Sequence, residues 1–455
     1  MPKVETNNRQ HAIVIGGSLG GLLTARVLSK HFDRVTILEK DRVDLRPESR
    51  PGQPQTRHLH ALLATGLNVM SDYFPDLPQA LVAHGAIVND FAESMRWYSY
   101  GGYRAQFKIG FNITTMSRVL LEHLVRERVL ALPQIELLDR ATVKQLVATP
   151  TSEDRSDAPN RRVIGVIVAP QDNTGQPTTL SADLVVDVTG RNSLSPQWLQ
   201  DLGYVPPPES EVIVNVGYGT RIYRRDPEDP RSQTWILSTP EAPHQKRFGG
   251  MFPIEGNRWL VSIGGWHGER TPLDDLGFLE FARSLPSADI YEAICACEPL
   301  SEIIPHKFVS SRRRHYERLK RFPAGYIVLG DAIASFNPTY GQGMTVAALE
   351  AAELDRLLSA DRSDDRLAAT FFDRVAKIIE IPWQLAVGED FRFPQTTGTK
   401  PFGVEILNHY VKRLHQATLR DRVVSDALFK VMNLINPPST LFHPQIVWRV
   451  LMARS

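Results

Sequence analysis

The stretch His11 to Glu39, HAIVIGGSLGGLLTARVLSKHFDRVTILE, leaves this chain few ways to begin its fold. The apolar run Ala12 to Ile15 reads as a buried strand and the glycines as a tight turn. Leu19 to Lys30 reads as a helix whose Leu22, Leu23, Ala25, Val27 and Leu28 suit packing on a sheet. A second strand, Arg34 to Leu38, ends at Glu39. In such a unit glycine lets backbone approach a pyrophosphate, the helix N-terminus faces the negative charge, and an acid about twenty residues on accepts ribose hydroxyls. Gly16 and Gly21 fill the first and third glycine positions of G-x-G-x-x-G, and Ser18 stands at the second, small enough to admit a phosphate. A purely structural turn is the competing reading, and the full strand, turn, helix, strand and acid context favours the dinucleotide.

Composition narrows the setting. With 455 residues, 42% of them hydrophobic, the chain can bury a large core and build two closely joined domains. Its 52 basic and 51 acidic residues nearly cancel and are mixed along the chain, which argues against a nucleic-acid partner. The two cysteines, Cys295 and Cys297 in the helical-looking AICACEP, are too few for a disulfide framework and lack companion metal ligands, so a reducing compartment is the simplest reading. The start, MPKVETNNRQ, has no apolar signal region, and no run of about eighteen apolar residues occurs. The expectation is a cytoplasmic protein without an integral membrane segment.

After Glu39, DRVDLRPESRPGQPQT is polar and turn-rich, and RHLHALLATGLNVMSDYF resumes helical periodicity with His58 and His60 at its start. Two residues apart, these point to different sides, whereas a helical metal pair sits three or four apart. They act either as a cap or core hydrogen bond, or beside a bound cofactor. Residues 86–116 alternate strand-like pieces with Trp97, Tyr98, Tyr100, Tyr103, Phe107 and Phe111, which suits covering a pocket. In MSRVLLEHLVRERVLAL, Ser117 is an N-cap and Arg118 falls in the first helical turn, where the dipole disfavours a cation. Arg118 is therefore either a solvated surface residue or one facing an anion such as phosphate.

IELL (135–138), ATVKQLVAT (141–149), RVIGVIVAP and ADLVVDVTG read as strands, and TPTSEDRSDAPN (149–160) as a solvated hairpin loop. The last strand runs into Asp187, Thr189, Gly190 and Arg191, either a plain strand exit or another close approach of backbone to a cofactor. From Val205 to about Ser311, EVIVNVGYG, SQTWILST, RFGGMFPIE and NRWLVSIGGW indicate antiparallel strands. Trp235, Phe248, Phe252, Trp259 and Trp266 would be mostly core, with one or two lining an apolar substrate wall. In AGYIVLGDAIASFNPTYGQGMTVAALEAAELDRLL, a buried strand from Tyr326 to Leu329 leads to Asp331, a loop with Pro338, a second glycine turn (Gly341, Gln342, Gly343) and a helix from about Met344. That arrangement supplies an acceptor for hydroxyls and a positive field for an anion. The final hundred residues are helical, with breaks at Pro382, Pro394 and Pro401, and the end PPSTLFHPQIVWRVLMARS reads as a packed helix in preference to a membrane anchor.

GGSLGGLLTA, DVTGRNS and GDAIASFNPTYGQGM, in that order, resemble the FAD-dependent monooxygenases of the para-hydroxybenzoate hydroxylase class, with squalene epoxidases, flavin halogenases and geranylgeranyl reductases as wider relatives. The likeness covers most of residues 10–390 and implies an α/β fold: a Rossmann-like FAD-binding domain with an inserted antiparallel β-sheet substrate domain and a helical C-terminal region. The expected division is 10–204 for the FAD-binding domain, with 86–116 contributing to the substrate pocket, 205–311 for the substrate sheet, 312–360 for the return to the first domain, and 361–455 for the C-terminal helices. By the resemblance, Gly16, Ser18, Gly21, Glu39 and Lys40 bind the adenosine half of FAD, with Glu39 on the ribose. Arg118 lies near the pyrophosphate and Val143 beside the adenine. Asp187 and Gly190 belong to cofactor and NADPH handling, although here Val188 and Thr189 separate an Asp-Gly pair that the family keeps adjacent. Asp331 contacts the flavin phosphate and ribityl chain. Amides around Gly341, Gly343 and Met344 face the flavin pyrimidine ring, where a helix N-terminus stabilises developing charge.

The activity so implied is oxygen insertion. NADPH or NADH reduces FAD, dioxygen adds, and a flavin hydroperoxide hydroxylates or epoxidises an apolar or aromatic small molecule, plausibly in secondary metabolism. Hydroxylating a phenol-like ring calls for a base that epoxidation does not need, and His58, His60 and Tyr340 are its candidates. The halogenase signature W-x-W-x-I-P is absent. An alternative is an FAD-dependent reductase or dehydrogenase of an isoprenoid-like substrate, suggested by FPIEGNRW, though Glu255 stands where those enzymes tend to have a basic residue. A third reading, a carrier of lipidated partners of the Rab escort type, sits poorly with intact flavin motifs.

Overall fold

The opening unit forms in the computed structural model, which describes residues 9–44, 46–149, 161–170, 176–360 and 364–453. Strand β1 (His11–Ile15) is wholly buried, α1 spans Leu19–Leu28, and β2 (Arg34–Leu38) runs parallel to β1. These strands lie within a five-stranded parallel sheet ordered Tyr326–Val328, Leu184–Asp187, β1, β2, Ile135–Leu138. Both faces are covered, which is why its strands are continuous apolar runs such as Ile13, Val14, Val185, Val186 and Ile327, all 0% exposed.

A nine-stranded sheet stands beside it. Glu209–Arg224, Arg258–Gly265 and Arg247–Ile254 pair antiparallel at its centre, and Ile304–Arg314 flanks them. The sheet reaches beyond residues 205–311. It takes in Met95–Ser99, parallel to Trp235–Ser238, as well as Gly102–Tyr103, Ala334–Ser335 and Thr397–Gly398. An open sheet edge exposes unpaired backbone groups, and these distant short segments cover them. Ala334–Ser335 pairs with Arg313 and Arg312 only a few residues after the Tyr326–Val328 strand ends, so the chain steps directly from one sheet to the other. Ala141–Ala148, Val163–Pro170 and Thr178–Ser181 form a separate antiparallel sheet.

Several local expectations shift. His58 and His60 do not open a helix. The helix is Ala64–Tyr73, preceded by a 3-10 turn at Pro54–Arg57 and an extended stretch. Leu59 N–H donates to Ser262 Oγ at 3.2 Å and Leu62 bridges to Thr114, so contacts with other strands hold this segment open against its periodicity. Pro382 does not break the C-terminal region. It lies inside the helix Asp364–Asp390, where fully packed neighbours such as Ile379 and Trp383 compensate for the missing N–H. Cys295 caps a short helix (Asp289–Ile294), and both cysteines are free. MPKVETNN and residues 150–160, where the sequence suggests a hairpin loop, lie outside the described residues.

Helices Val404–Ala417, Arg422–Met432 and Pro444–Met452 follow. The last packs Ile446 and Val450 against Leu414, Val424 and Leu428. Among the described residues no helix is long and apolar enough to cross a membrane.

Phe371, 0% exposed in Asp364–Asp390, anchors that helix. Phe371→Ala should cost about 3–5 kcal/mol and lower the thermal midpoint clearly, while Asp373→Ala on the exposed face should stay within about 0.5 kcal/mol.

Candidate active site

Three strand ends converge on one cleft. A side chain at Gly21 would sit 1.8 Å from the Gly16 carbonyl oxygen, and one at Gly16, whose φ is +106°, would sit 2.7 Å from the Val188 carbonyl oxygen. Only glycine allows both approaches. Val188 Cγ1 would lie 3.1 Å from a Cβ at Gly20 and 3.8 Å from one at Gly330, and Ala347 flanks both. The turn after β1 and the turn after Tyr326–Val328 therefore meet at Val188. Two helices begin here without a side-chain cap or a first-turn acid: α1 after Ser18, and Gly343–Ser359 after Gln342. Their free amides and dipoles point a positive field at the cleft.

Glu39 is buried, with Oε2 accepting from Gly17 N–H at 2.9 Å and Oε1 from Asp41 N–H at 3.0 Å. Arg50 donates to the Gly17 carbonyl at 3.1 Å and to Glu122 Oε1 at 3.2 Å, with its Nη1 3.6 Å from Glu39 Oε2. Glu122 also accepts from Arg126 at 3.1 Å and from the Ser18 hydroxyl at 3.3 Å, and lies 3.7 Å from Arg118. Burial pushes the Glu122 carboxyl up, but Arg118, Arg126 and Arg50 outweigh it and hold the group below its usual range. Arg118 opens the helix Arg118–Leu130, with Ser117 Oγ accepting from Leu120 N–H, as its sequence indicates. It is buried, so the surface reading fails, and Glu122 supplies part of the negative charge assigned to a phosphate. Glu255 holds that helix start by accepting from Ser117 N–H at 2.9 Å.

Arg118 Nε and Arg50 Nη1, 3.7 Å from Glu122 and 3.6 Å from Glu39, are buried and make no hydrogen bond. Unsatisfied cationic donors beside two uncapped helix starts fit a dinucleotide pyrophosphate. Lys40 is exposed, and Val143 is packed in the core at a bulge of its strand.

Asp187 is 0% exposed and spends its hydrogen bonds on its own turn and the helix after it: Thr189 N–H (2.9 Å), Thr189 Oγ1 (2.6 Å), Ser193 Oγ (2.5 Å) and Ser195 Oγ. Its carboxylate thus shapes the Gly190 turn, where φ is +80°, and does not face the cleft. From that turn Arg191 donates to the Ser310 carbonyl and Ser335 Oγ, both at 2.6 Å, tying it to the large sheet. Asp331 lies between this turn and the second helix start: a Cβ on Gly343 would be 3.6 Å from its Oδ1. Solvent reaches Asp331, yet the surrounding protein raises its carboxyl by burial, opposed by Arg118 and Arg191. A carboxylate open to the cleft but walled by protein suits a hydroxyl-bearing ligand.

His58 is 1% exposed, bonded to Thr220 Oγ1 at 2.8 Å, and driven by burial to about 3. It is a packing residue of the large sheet. His60 is partly exposed, its Nδ1 lies 2.9 Å from the His58 carbonyl, and burial lowers it to about 4. Because a carbonyl only accepts, Nδ1 carries the proton and Nε2 keeps its lone pair. Ala61 Cβ would lie 3.2 Å from a Cβ at Gly341, where φ is +68°, so the chain just after His60 packs on the chain just after Tyr340. Tyr340 donates to Asp390 Oδ1 at 2.8 Å. Met344 is buried. An aromatic chain leads away along the large sheet: His58 to His306 (4.9 Å), His306 to Tyr218 (5.0 Å), Tyr218 to Phe248 (6.3 Å), Phe248 to Trp266 (5.0 Å) and Trp266 to Phe393 (5.2 Å). Among the described residues no group of three or more His, Cys, Asp or Glu could hold a metal.

Sequence reasoning missed Arg50, Gln53, Glu122, Arg126, Glu350 and Asp390. Only Glu122 carried a local signal, four residues from both Arg118 and Arg126.

Comparison with known proteins identifies the family and the fold. Residues 9–370 match the family described as FAD binding domain. Protein Rv3254 of Mycobacterium tuberculosis is 33% identical over 404 residues, 86% of this chain and 82% of that protein. The flavin-dependent brominase Bmp2 shares the fold with a TM-score of 0.64 at 12% identity, over 93% of this chain and 94% of its own. PqsL, a probable FAD-dependent monooxygenase from Pseudomonas aeruginosa, does so with a TM-score of 0.57 at 18% identity, over 85% and 99%.

Beneath the second turn, Glu350 is 0% exposed, its Oε2 accepts from Gly330 N–H at 2.5 Å and its Oε1 has no partner. Burial raises it from 4.5 to about 8, with Asp331 adding to the rise. A carboxyl raised on folding weakens the fold as pH climbs from the unfolded value to the folded one. Glu350→Gln should therefore stabilise the protein, with a thermal-midpoint gain that is absent near pH 4.5 and grows towards pH 8.

Proposed function

Since this chain belongs to the FAD binding domain family and is a flavoprotein oxidoreductase, we propose that it is a monooxygenase: it uses NADPH or NADH and dioxygen to place one oxygen atom on an apolar or aromatic small molecule. The observation that carries the reading is the junction of the FAD cleft with an aromatic wall, since Trp266 and Tyr340 converge on Asp390 beside the Gly341 turn. Bound FAD would supply the redox chemistry, and the chain supplies its place, a dry wall and the proton handling.

Gly17 and Glu39 would hold the adenosine ribose, and Arg118, Arg50 and the start of α1 the pyrophosphate. Asp331 would accept from ribityl hydroxyls. The amides at Gly343 and Met344, at the uncapped end of a 17-residue helix, would steady negative charge on the pyrimidine ring. His60, whose Nε2 keeps its lone pair while burial lowers the ring to about 4, is retained as the base candidate. His58 is not, because its ring is enclosed. Halogenation, the activity in the name of Bmp2, has little support here: 12% identity carries the fold alone, and W-x-W-x-I-P is absent.

Purified protein loaded with FAD should consume dioxygen with NADPH or NADH, faster when a substrate from a panel of phenols, quinols and alkenes is present, and release an oxygenated product. Product formed equally well without oxygen would replace this reading with the reductase. Asp331→Ala, which removes an acceptor for ribityl hydroxyls, should weaken FAD binding about 10- to 100-fold in a fluorescence-quenching titration.

A further inference from the structure

We propose that a second cleft, between the C-terminal helices and the turn at Tyr100 and Gly101, binds one long-chain carboxylate, its tail on Trp448 and Met452 and its head group on Arg420 and Arg422. This cleft encloses about 760 Å³, within the roughly 300–1,000 Å³ usual for small organic molecules, and none of its lining residues belongs to the cleft at Val188. The turn at Tyr100 and Gly101 joins the paired strands Met95–Ser99 and Gly102–Tyr103 and closes one end. Leu419 and Val423 come from either side of the start of helix Arg422–Met432, and Trp448 and Met452 from helix Pro444–Met452. That last helix is apolar on two faces. Ile446 and Val450 are packed inward, while Trp448 and Met452 are 63% and 62% exposed. Packing accounts for one apolar face, and the second is open to a ligand.

Charge decides which ligand. Arg420, Arg422 and Arg449 line the cleft, and Asp421 is the one acid among the lining residues. Asp421 is already spent: Oδ1 accepts from Val423 and Val424 N–H at 2.9 and 3.2 Å, capping the helix, and Oδ2 accepts from Arg449 Nη1 at 2.8 Å. Arg449 Nε is buried without a hydrogen bond. Arg420 and Arg422 have no ion pair among the described residues, and they flank a helix start with no acid in its first turn, where the dipole disfavours cations. Two unpaired cations set against a dipole, beside an apolar wall, select an anion that carries a tail. A bare inorganic anion would leave Trp448 and Met452 in water, and an alcohol or alkane would leave the arginines unpaired.

The site is independent of any reaction at the flavin, so its test needs no turnover: equilibrium dialysis of radiolabelled laurate against the FAD-loaded full chain, below the concentration at which laurate aggregates. One saturable site is expected, weakened by added salt and about tenfold or more tighter for laurate than for dodecan-1-ol or dodecyltrimethylammonium. Arg420→Gln combined with Arg422→Gln should weaken laurate about tenfold, and Trp448→Ala by a similar factor. These side chains are exposed, so the variants should keep their fold and bound flavin. Arg413→Gln, exposed outside the cleft, should leave the affinity unchanged. No saturable laurate binding, equal affinity for the alcohol, or undiminished laurate binding in the double variant would each overturn the proposal, the last by placing the ligand elsewhere, such as in the flavin cleft. Co-sedimentation with phosphatidylglycerol vesicles without saturable laurate binding would replace the site with a membrane-facing surface.

Discussion

The cleft depends on one close approach, the Val188 carbonyl against Gly16. A Cβ there would separate the end of β1 from its neighbouring strand end, and the turn leading to Gly330, which rests on the other side of Val188, would lose its floor. Two turns from opposite ends of the chain thus share a single apolar residue as their spacer. The alignment of α1 and Gly343–Ser359, and hence the direction of both helix dipoles, follows from that spacing.

Charge is arranged around this frame with unusual economy of acids. Glu122 neutralises parts of Arg50, Arg118 and Arg126, with Glu39 beside Arg50, and Arg118 Nε and Arg50 Nη1 are left without a hydrogen bond where a pyrophosphate would fit. A buried network with spare donors is costly without its ligand. A bound pyrophosphate would thus complete the electrostatics of the β1 side of the cleft. On the other side, Arg191 and Arg314 carry the middle motif onto the large sheet, with Arg314 donating to the Ala332 carbonyl at 2.8 Å and to the Arg191 carbonyl at 3.3 Å. These ties fix the Gly190 and Gly330 turns relative to the aromatic wall.

The glycine turns, Glu39 and the Ser117 cap were legible because each depends on chemistry within a few residues or on a strand pattern. Arg50 was not, since its partners Gly17 and Glu122 lie 33 and 72 positions away. The His58 segment was misread for a related reason. Leu59, Leu62 and Leu63 mimic a helical face, but Ser262 and Thr114 claim their neighbourhood through tertiary contacts. Pro382 shows the opposite bias, a strong local breaker overruled by packing around Ile379 and Trp383. Asp187 looked like a ligand because strand-end acids often are, yet the hydroxyls of its own turn and of Ser195 consume it.

Asp390 joins Trp266, Asn337 and Tyr340 across 124, 53 and 50 positions of chain. Contacts of that span form late, since each must first overcome the entropy of closing a long loop. During synthesis the opening β1-α1-β2 unit therefore emerges long before its cleft exists, and the apolar wall waits for the same helix end. Local fraying at the end of Asp364–Asp390 would then loosen the Tyr340 and Trp266 contacts first, while the Glu39 and Arg50 contacts, made with other parts of the chain, stay in place.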